Sequence, residues 1–214
     1  MIKIENVEVL GWDAAIRGMR NPLNSWDKSD TDYADYRGTG CDLNYLTLGE
    51  NDLALMSKLS DAGNDHGKFL RFITVTLDVI APLYWWKEYD TYKVGTVANS
   101  CSTMHTIHKK PLSMDDFSHE HLDPLNMEVM RSQVGVLNLY AEKYRNTGDK
   151  EAWWQIIQML PTSFNQRRTL QLNYAVLKAM YPSRKNHKLD EWHVFCDWIE
   201  GLPYAKELII GGVD

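Results

Sequence analysis

The chain has 214 residues, 44% of them hydrophobic and 24% charged, a composition that excludes disorder and collagen-like repeats and fits a single domain over 1–214. Its 23 Lys and Arg are outnumbered by 29 Asp and Glu, for a formal net charge of −6, which argues against a binder of polymeric nucleic acid. No apolar run approaches the roughly 18 residues a membrane span requires, and Met1-Ile2-Lys3-Ile4-Glu5 has neither the apolar stretch nor the cleavage site of a secretory leader. The expectation is a cytoplasmic protein.

Ile2 to Val9 alternates as a strand does, and Asp13 to Met19 suits a short helix. Residues 27–42 are polar and glycine-bearing and read as a long surface loop. Leu53, Leu55, Met56 and Leu59 recur at helical spacing, with Asn51 as N-cap and Gly63 past the end. Ile73, Val75, Leu77 and Val79 then alternate with polar residues as a strand, which Ala81-Pro82 stops. Pro82 opens an aromatic helix through Tyr89. In the second half, Asp123 caps a helix with Pro124 at its first position, and Met127, Met130, Val134, Leu137, Ala141 and Tyr144 keep its period up to Gly148. Further helices are expected over about 150–159, 163–181 and 189–201. The fold class is therefore α+β, a small, mainly antiparallel sheet with a helical layer.

Cys41, Cys101 and Cys196 are far apart and lack any CxxC pairing, as reduced thiols do. The 8 Trp and 11 Tyr suit a core and also the stacking of planar ligands. His66, on a polar loop between helix and strand, is placed to donate to a ligand; local hydrogen bonding is the plainer explanation. Residues 96–105 string together hydroxyls, an amide and backbone N–H groups, as an anion nest does, although a self-satisfied turn accounts for them too. His105, His108, His119 and His121 lack the carboxylate spacing of a hydrolytic metal helix. Arg167 and Arg168 at a helix start, with Arg184 and Lys185 past its end, would be separated by roughly 25 Å of helix, so one ligand reaches both only in an oligomer. His187 and Glu191 form an i,i+4 pair. No nucleophile elbow, P-loop or dinucleotide fingerprint is present.

In order along the chain, these features resemble the flavin-dependent thymidylate synthases, the fold also called thymidylate synthase-complementing-protein-like. The likeness covers about residues 50–200. The family has a helix, a Gly-His loop and a strand ending in Ala-Pro, matched here by Leu53 to Ala62, His66, Ile73 to Val79 and Ala81-Pro82. Its signature RHRxxSxNxxSxRY is matched by Thr91 to His105 with one extra residue before Asn99; Asn99 and Ser102 keep the N-x-x-S core, and Lys93 and Thr96 are conservative changes. Leu160-Pro161, Asn173, Arg184, His187 and Glu191 follow at the family's intervals. Thr91, Tyr92, Ser100, Met104 and His105 depart from the signature; Met104 stands where the family has an Arg that helps hold the dUMP phosphate, and Ile157 stands near a second such Arg. Arg20, Lys68, Arg71, Lys93, Arg167 and Arg168 are candidates to replace the missing cations.

The resemblance implies a homotetramer that methylates dUMP to dTMP with FAD as cofactor and NADPH and methylene-tetrahydrofolate as cosubstrates. It implies that His66, Lys68, Lys93, Asn99 and Asn173 meet FAD, with Asn99 and Ser102 between flavin and nucleotide. Ser102 and Arg184 would bind substrate, Arg184 being the catalytic residue that stabilises charge on the pyrimidine. Two alternatives stay open: a non-catalytic flavin- or nucleotide-binding homologue, and a flavoenzyme that modifies a different pyrimidine nucleotide.

Overall fold

The computed structural model describes residues 2–33 and 46–211. Cys41 and most of the expected 27–42 loop fall outside them. The elements are β1 (Lys3–Leu10), α1 (Trp12–Arg20), β2 (Asp32–Tyr33), β3 (Leu46–Thr47), α2 (Glu50–Asp61), β4 (Thr74–Pro82) and α3 (Leu83–Tyr89), then β5 (Val97–Ser100), α4 (Thr103–Thr106), α5 (Pro124–Thr147), α6 (Lys150–Met159), β6 (Asn165–Asn173), α7 (Tyr174–Arg184) and α8 (Asp190–Glu200). A small antiparallel sheet takes the order β1-β4-β6-β5, and β2 pairs with β3 in a two-stranded ribbon, so the α+β expectation holds. Among the described residues no helix is long and apolar enough to cross a membrane.

The chain divides into two compact units, neither continuous in sequence. One holds residues 1–3, 79–91 and 99–168; the other holds 4–78, 92–98 and 169–214. The first has its own core, where Met130, Val134, Leu137 and Ala141 of α5 meet Ile156 of α6, Ile107, Leu112 and Phe117. The side of α5 that turns inward is the one its sequence period predicts, and Asp123 caps it by accepting from the Asn126 N–H at 2.8 Å. In the second unit Trp12 is fully buried between Tyr174 and Tyr204. Gly11 joins β1 to α1 at φ 94°, and a Cβ there would overlap the backbone carbonyl of Phe72, so both the left-handed turn and the close approach require glycine.

The stretch expected as a helix over 163–181 is β6 followed by α7. Gln166, Leu170 and Leu172 are buried at alternate positions, and only from Tyr174 does the helical period begin. Leu170 of the strand lies seven residues before Leu177 and ten before Met180 of the helix, so it fits the helical period as well as the strand's own, which is how the strand is mistaken for a helix. With Arg167 and Arg168 on a strand, the separation deduced from one continuous helix no longer applies. Two smaller corrections follow. Pro82 is the N-cap of α3 rather than its first residue, and Pro182 lies within α7, whose last residue is Arg184.

Helix α2 begins at Glu50, with Gly49 and not Asn51 as its N-cap. The side-chain cap comes from far back in the chain: Asp30 accepts from the Asn51 N–H at 2.9 Å and the Asp52 N–H at 3.0 Å. Asp52 itself is completely buried and accepts from Arg20 Nε at 2.7 Å, from the Ser29 and Thr31 hydroxyls at 2.6 Å each, and from the Thr31 N–H at 3.1 Å. Burial alone would push its carboxyl up, but the Ser29 and Thr31 hydroxyls and the Arg20 guanidinium outweigh it and hold the group below its usual value of 3.8. Removing one partner of such a buried pair costs about 3–5 kcal/mol, so Asp52→Ala is expected to lower the unfolding free energy by that amount, read from the fall in the urea midpoint at unchanged slope. Because the folded pKa is the lower one, the stabilisation is present above pH 3.8 and fades as pH falls through the depressed folded value. The gap between wild type and Asp52→Asn should accordingly narrow on acidification below that point.

Candidate functional site

Within the second unit, the C-terminal end of α1, the following turn, α2 and the 65–72 segment enclose a cavity of about 930 Å³, at the upper end of the roughly 300–1,000 Å³ usual for ligand pockets. Leu55, Leu59 and Phe69 give it apolar walls, and His66 and Lys68 both line it. Leu23 and Phe72 leave 84% and 53% of their surfaces to solvent there, apolar area that a flat ring system would cover. The Arg20–Asp52 pair joins the end of α1 to the first turn of α2, two of the cavity's walls. His66 sits on the loop expected for it, its N–H donating to Gly63 O at 3.2 Å. Arg71 lines a separate cavity of about 450 Å³ with Lys178, whose amine binds Ser60 Oγ at 2.6 Å and Asp61 at 3.1 Å.

Arg184, half-buried at the end of α7, is held by aromatic rings. Its Nε donates to the Tyr92 hydroxyl at 2.8 Å, and its guanidinium lies 4.6 Å from the Trp192 ring centre and 5.2 Å from that of Tyr92. Such cation–π contacts contribute about 0.5–2 kcal/mol each and fix the plane of the fork. Tyr92 is fixed in turn: its carbonyl accepts from the Thr96 hydroxyl. Gly95, at φ 78°, leaves no room for a side chain beside Val176 and Asn173 of the α7 start. The sequence reading takes Tyr92 only as a lost signature residue. Its role as the partner of Arg184 is not written in any local pattern, because the two are 92 positions apart.

Asn173 is the N-cap of α7, its Oδ1 accepting from the Val176 N–H at 3.1 Å. It therefore lies the full length of α7 from Arg184, about 16 Å at 1.5 Å per residue. Lys93 is exposed on the segment that carries Tyr92. His187 does not form a helical pair with Glu191: it precedes α8, where its Nδ1 accepts from the Leu189 N–H at 3.1 Å. Burial pushes the Cys196 thiol up to about 11, which leaves it unreactive at neutral pH.

The remaining residues belong to the first unit. Asn99 is exposed on β5, and Ser102 caps α4 by accepting from the His105 N–H at 3.4 Å. Met104, where the signature has its phosphate-binding Arg, is 49% exposed, and its carbonyl accepts from Trp153 Nε1 at 3.2 Å. Arg167 lines a cavity of about 220 Å³ with Cys101 and Lys110. Two of the replacement cations are already engaged. Arg20 is buried against Asp52, and Arg168 lies 4.2 Å over Trp86 while binding Asp90 at 2.7 Å. Among the described residues no group of His, Cys, Asp or Glu is arranged to hold a metal; His108 packs on Tyr144 and His119 Nδ1 bonds the Phe117 carbonyl at 2.9 Å.

Comparison with solved structures shows that this fold, a small antiparallel four-stranded sheet with helices, is that of the flavin-dependent thymidylate synthases. The chain is similar to the flavin-dependent thymidylate synthase ThyX from Helicobacter pylori complexed with FAD and dUMP, at 15% identity and TM-score 0.68, covering 97% of each chain. It is also similar to the UMP/dUMP methylase PolB from Streptomyces cacaoi bound with 5-Br dUMP, at 14% identity and TM-score 0.59, covering 94% of this chain and 89% of that one. No protein-family model matches the chain, and no curated protein matches it.

Tyr92→Phe keeps the ring under Arg184 and deletes only the acceptor of its Nε. The expected loss is about 1 kcal/mol, the net worth of one hydrogen bond. Chemical denaturation followed by tryptophan fluorescence checks it.

Proposed function

We propose that residues 1–214 act as one functional unit, a cytoplasmic flavin-dependent enzyme that methylates dUMP to dTMP as a homotetramer, with NADPH and methylene-tetrahydrofolate as cosubstrates. The observation that carries this reading is the likeness along 97% of both chains to an enzyme solved with FAD and dUMP. The cavity beside His66 and Lys68 fits a flavin cofactor in kind: apolar walls and a solvent-facing Phe72 suit a planar heterocycle, and an amine and an imidazole suit its phosphates. Bound FAD supplies the hydride chemistry.

The chain's own groups bind and orient. Lys68 and the exposed Lys93 neutralise phosphate charge, His66 offers a ring N–H, and Asn173 and Asn99 offer amide hydrogens. Ser102 accepts from the His105 N–H, which leaves its own hydroxyl proton to donate to the nucleotide. Arg184, already turned and fixed by Tyr92 and Trp192, stabilises negative charge on the pyrimidine with little reorganisation. No protein nucleophile is needed.

One observation favours a second reading. Met104 occupies the position of a phosphate-binding Arg and is half exposed, which supports either a flavoenzyme for another pyrimidine nucleotide or a homologue that binds without turnover. A spectroscopic titration with FAD, followed by tritium release from ring-labelled dUMP, separates these. The protein should take up FAD and release tritium, and Arg184→Ala should keep the flavin while losing about a hundredfold or more of the release. Flavin uptake without release would favour the second reading, and no uptake would sink both flavin proposals.

A further inference from the structure

We infer that the cavity beside Arg71 and Lys178 is a binding site for a small monocarboxylate with a compact apolar body. Its volume of about 450 Å³ lies within the range of ligand pockets. All of its walls belong to the second unit. The 63–72 segment lines both this cavity and the larger one, but with different residues: Leu70 and Arg71 here, His66 and Lys68 there. The site is thus separate from the one proposed for flavin and does not depend on that reading.

Two cations meet here, and they differ in what already holds them. Ser60, only 4% exposed, gives its one hydroxyl proton to the Leu208 carbonyl at 2.8 Å, so toward Lys178 it can only accept. The Lys178 amine commits one hydrogen to Ser60 at 2.6 Å and a second to Asp61 at 3.1 Å, and keeps a third. It is therefore a donor fixed in place, with its charge already matched. Arg71 is exposed at the cavity and bonded to none of the described residues. Arg20 and Arg168 have carboxylate partners; Arg71 has none among the described residues.

Charge balance then selects the ligand. Asp61 offsets Lys178, so the cavity wall carries one uncompensated positive charge, the guanidinium of Arg71. A carboxylate cancels it and matches the planar fork with two parallel hydrogen bonds. A phosphate monoester dianion would bring a surplus negative charge up to Asp61. Leu70, Ala175, Ala179, Pro182 and Ile209 form most of the remaining wall, and that surface suits a hydrocarbon body, not a sugar.

Calorimetric titration of the full chain at about pH 8 tests it, with phenylacetate as probe and phenylacetamide and phenyl phosphate as its neutral and dianionic counterparts. Phenylacetate should bind saturably, and both counterparts about tenfold more weakly or worse. Arg71→Ala should weaken phenylacetate by about tenfold or more. Ala179→Phe, which fills the cavity from an exposed helix position, should abolish its binding, with far-ultraviolet circular dichroism confirming that both variants fold. No saturable phenylacetate binding, a counterpart that binds as well as or better than phenylacetate, or an unchanged affinity in either variant would each overturn the proposal. FAD should leave phenylacetate binding unchanged; displacement would give the cavity to the flavin and overturn it too. Absence of FAD uptake with the phenylacetate pattern intact would count against the flavin reading alone.

Discussion

A carboxylate with no access to water, Asp52, organises the ligand-sized cavity. An ion moved out of water is tolerated only when its lone pairs are taken up, and here Arg20, Ser29 and Thr31 take them up. The demand gathers three segments: the last residue of α1, the 29–31 stretch, and the first turn of α2. Asp30, carried along with Ser29 and Thr31, is thereby delivered to the exposed N–H groups of α2 and caps it. Two of the cavity's walls are thus fixed by electrostatics before any apolar contact is counted.

A second constraint of the same kind operates on Arg184. A guanidinium on a long side chain is ordinarily a mobile charge. Held against the Tyr92 and Trp192 rings and bonded through Nε, it becomes a fixed one. The two signature positions read as losses, Tyr92 and Met104, thus differ in consequence. Tyr92 gives up a basic side chain yet supplies the ring and hydroxyl that position another cation, whereas Met104 offers no such exchange.

Much of this architecture is legible in the sequence because its periods are unambiguous. The alternation from Ile73 to Val79 marks β4, which starts at Thr74 and runs on through the Ala81-Pro82 expected to stop it; Met130, Val134, Leu137 and Ala141 recur every three or four residues and become the buried side of α5. Around Leu170 the two periods share residues, and the strand is lost to the helix that follows it. The candidate site divides similarly. His66 and Lys68 are neighbours in sequence, so their placement on one cavity follows from a short loop. The Asp52 cluster and the Tyr92–Arg184 bond join residues 32 and 92 positions apart, and no local pattern encodes such meetings. Arg20 and Arg168 illustrate the converse. Sequence counts them as available cations, but Asp52, Asp90 and Trp86 have already claimed them.

The absent side chain at Gly11 bears on the cavity as well as on its own turn. Since the β1–α1 corner rests directly against the Phe72 carbonyl, main chain abuts main chain just behind a ring that faces the cavity. Backbone has far fewer ways to yield than a rotamer does, so this ring is braced from the rear by a support that cannot swing aside. A bulkier residue at the corner would be registered first as a displaced aromatic plane, some sixty positions downstream.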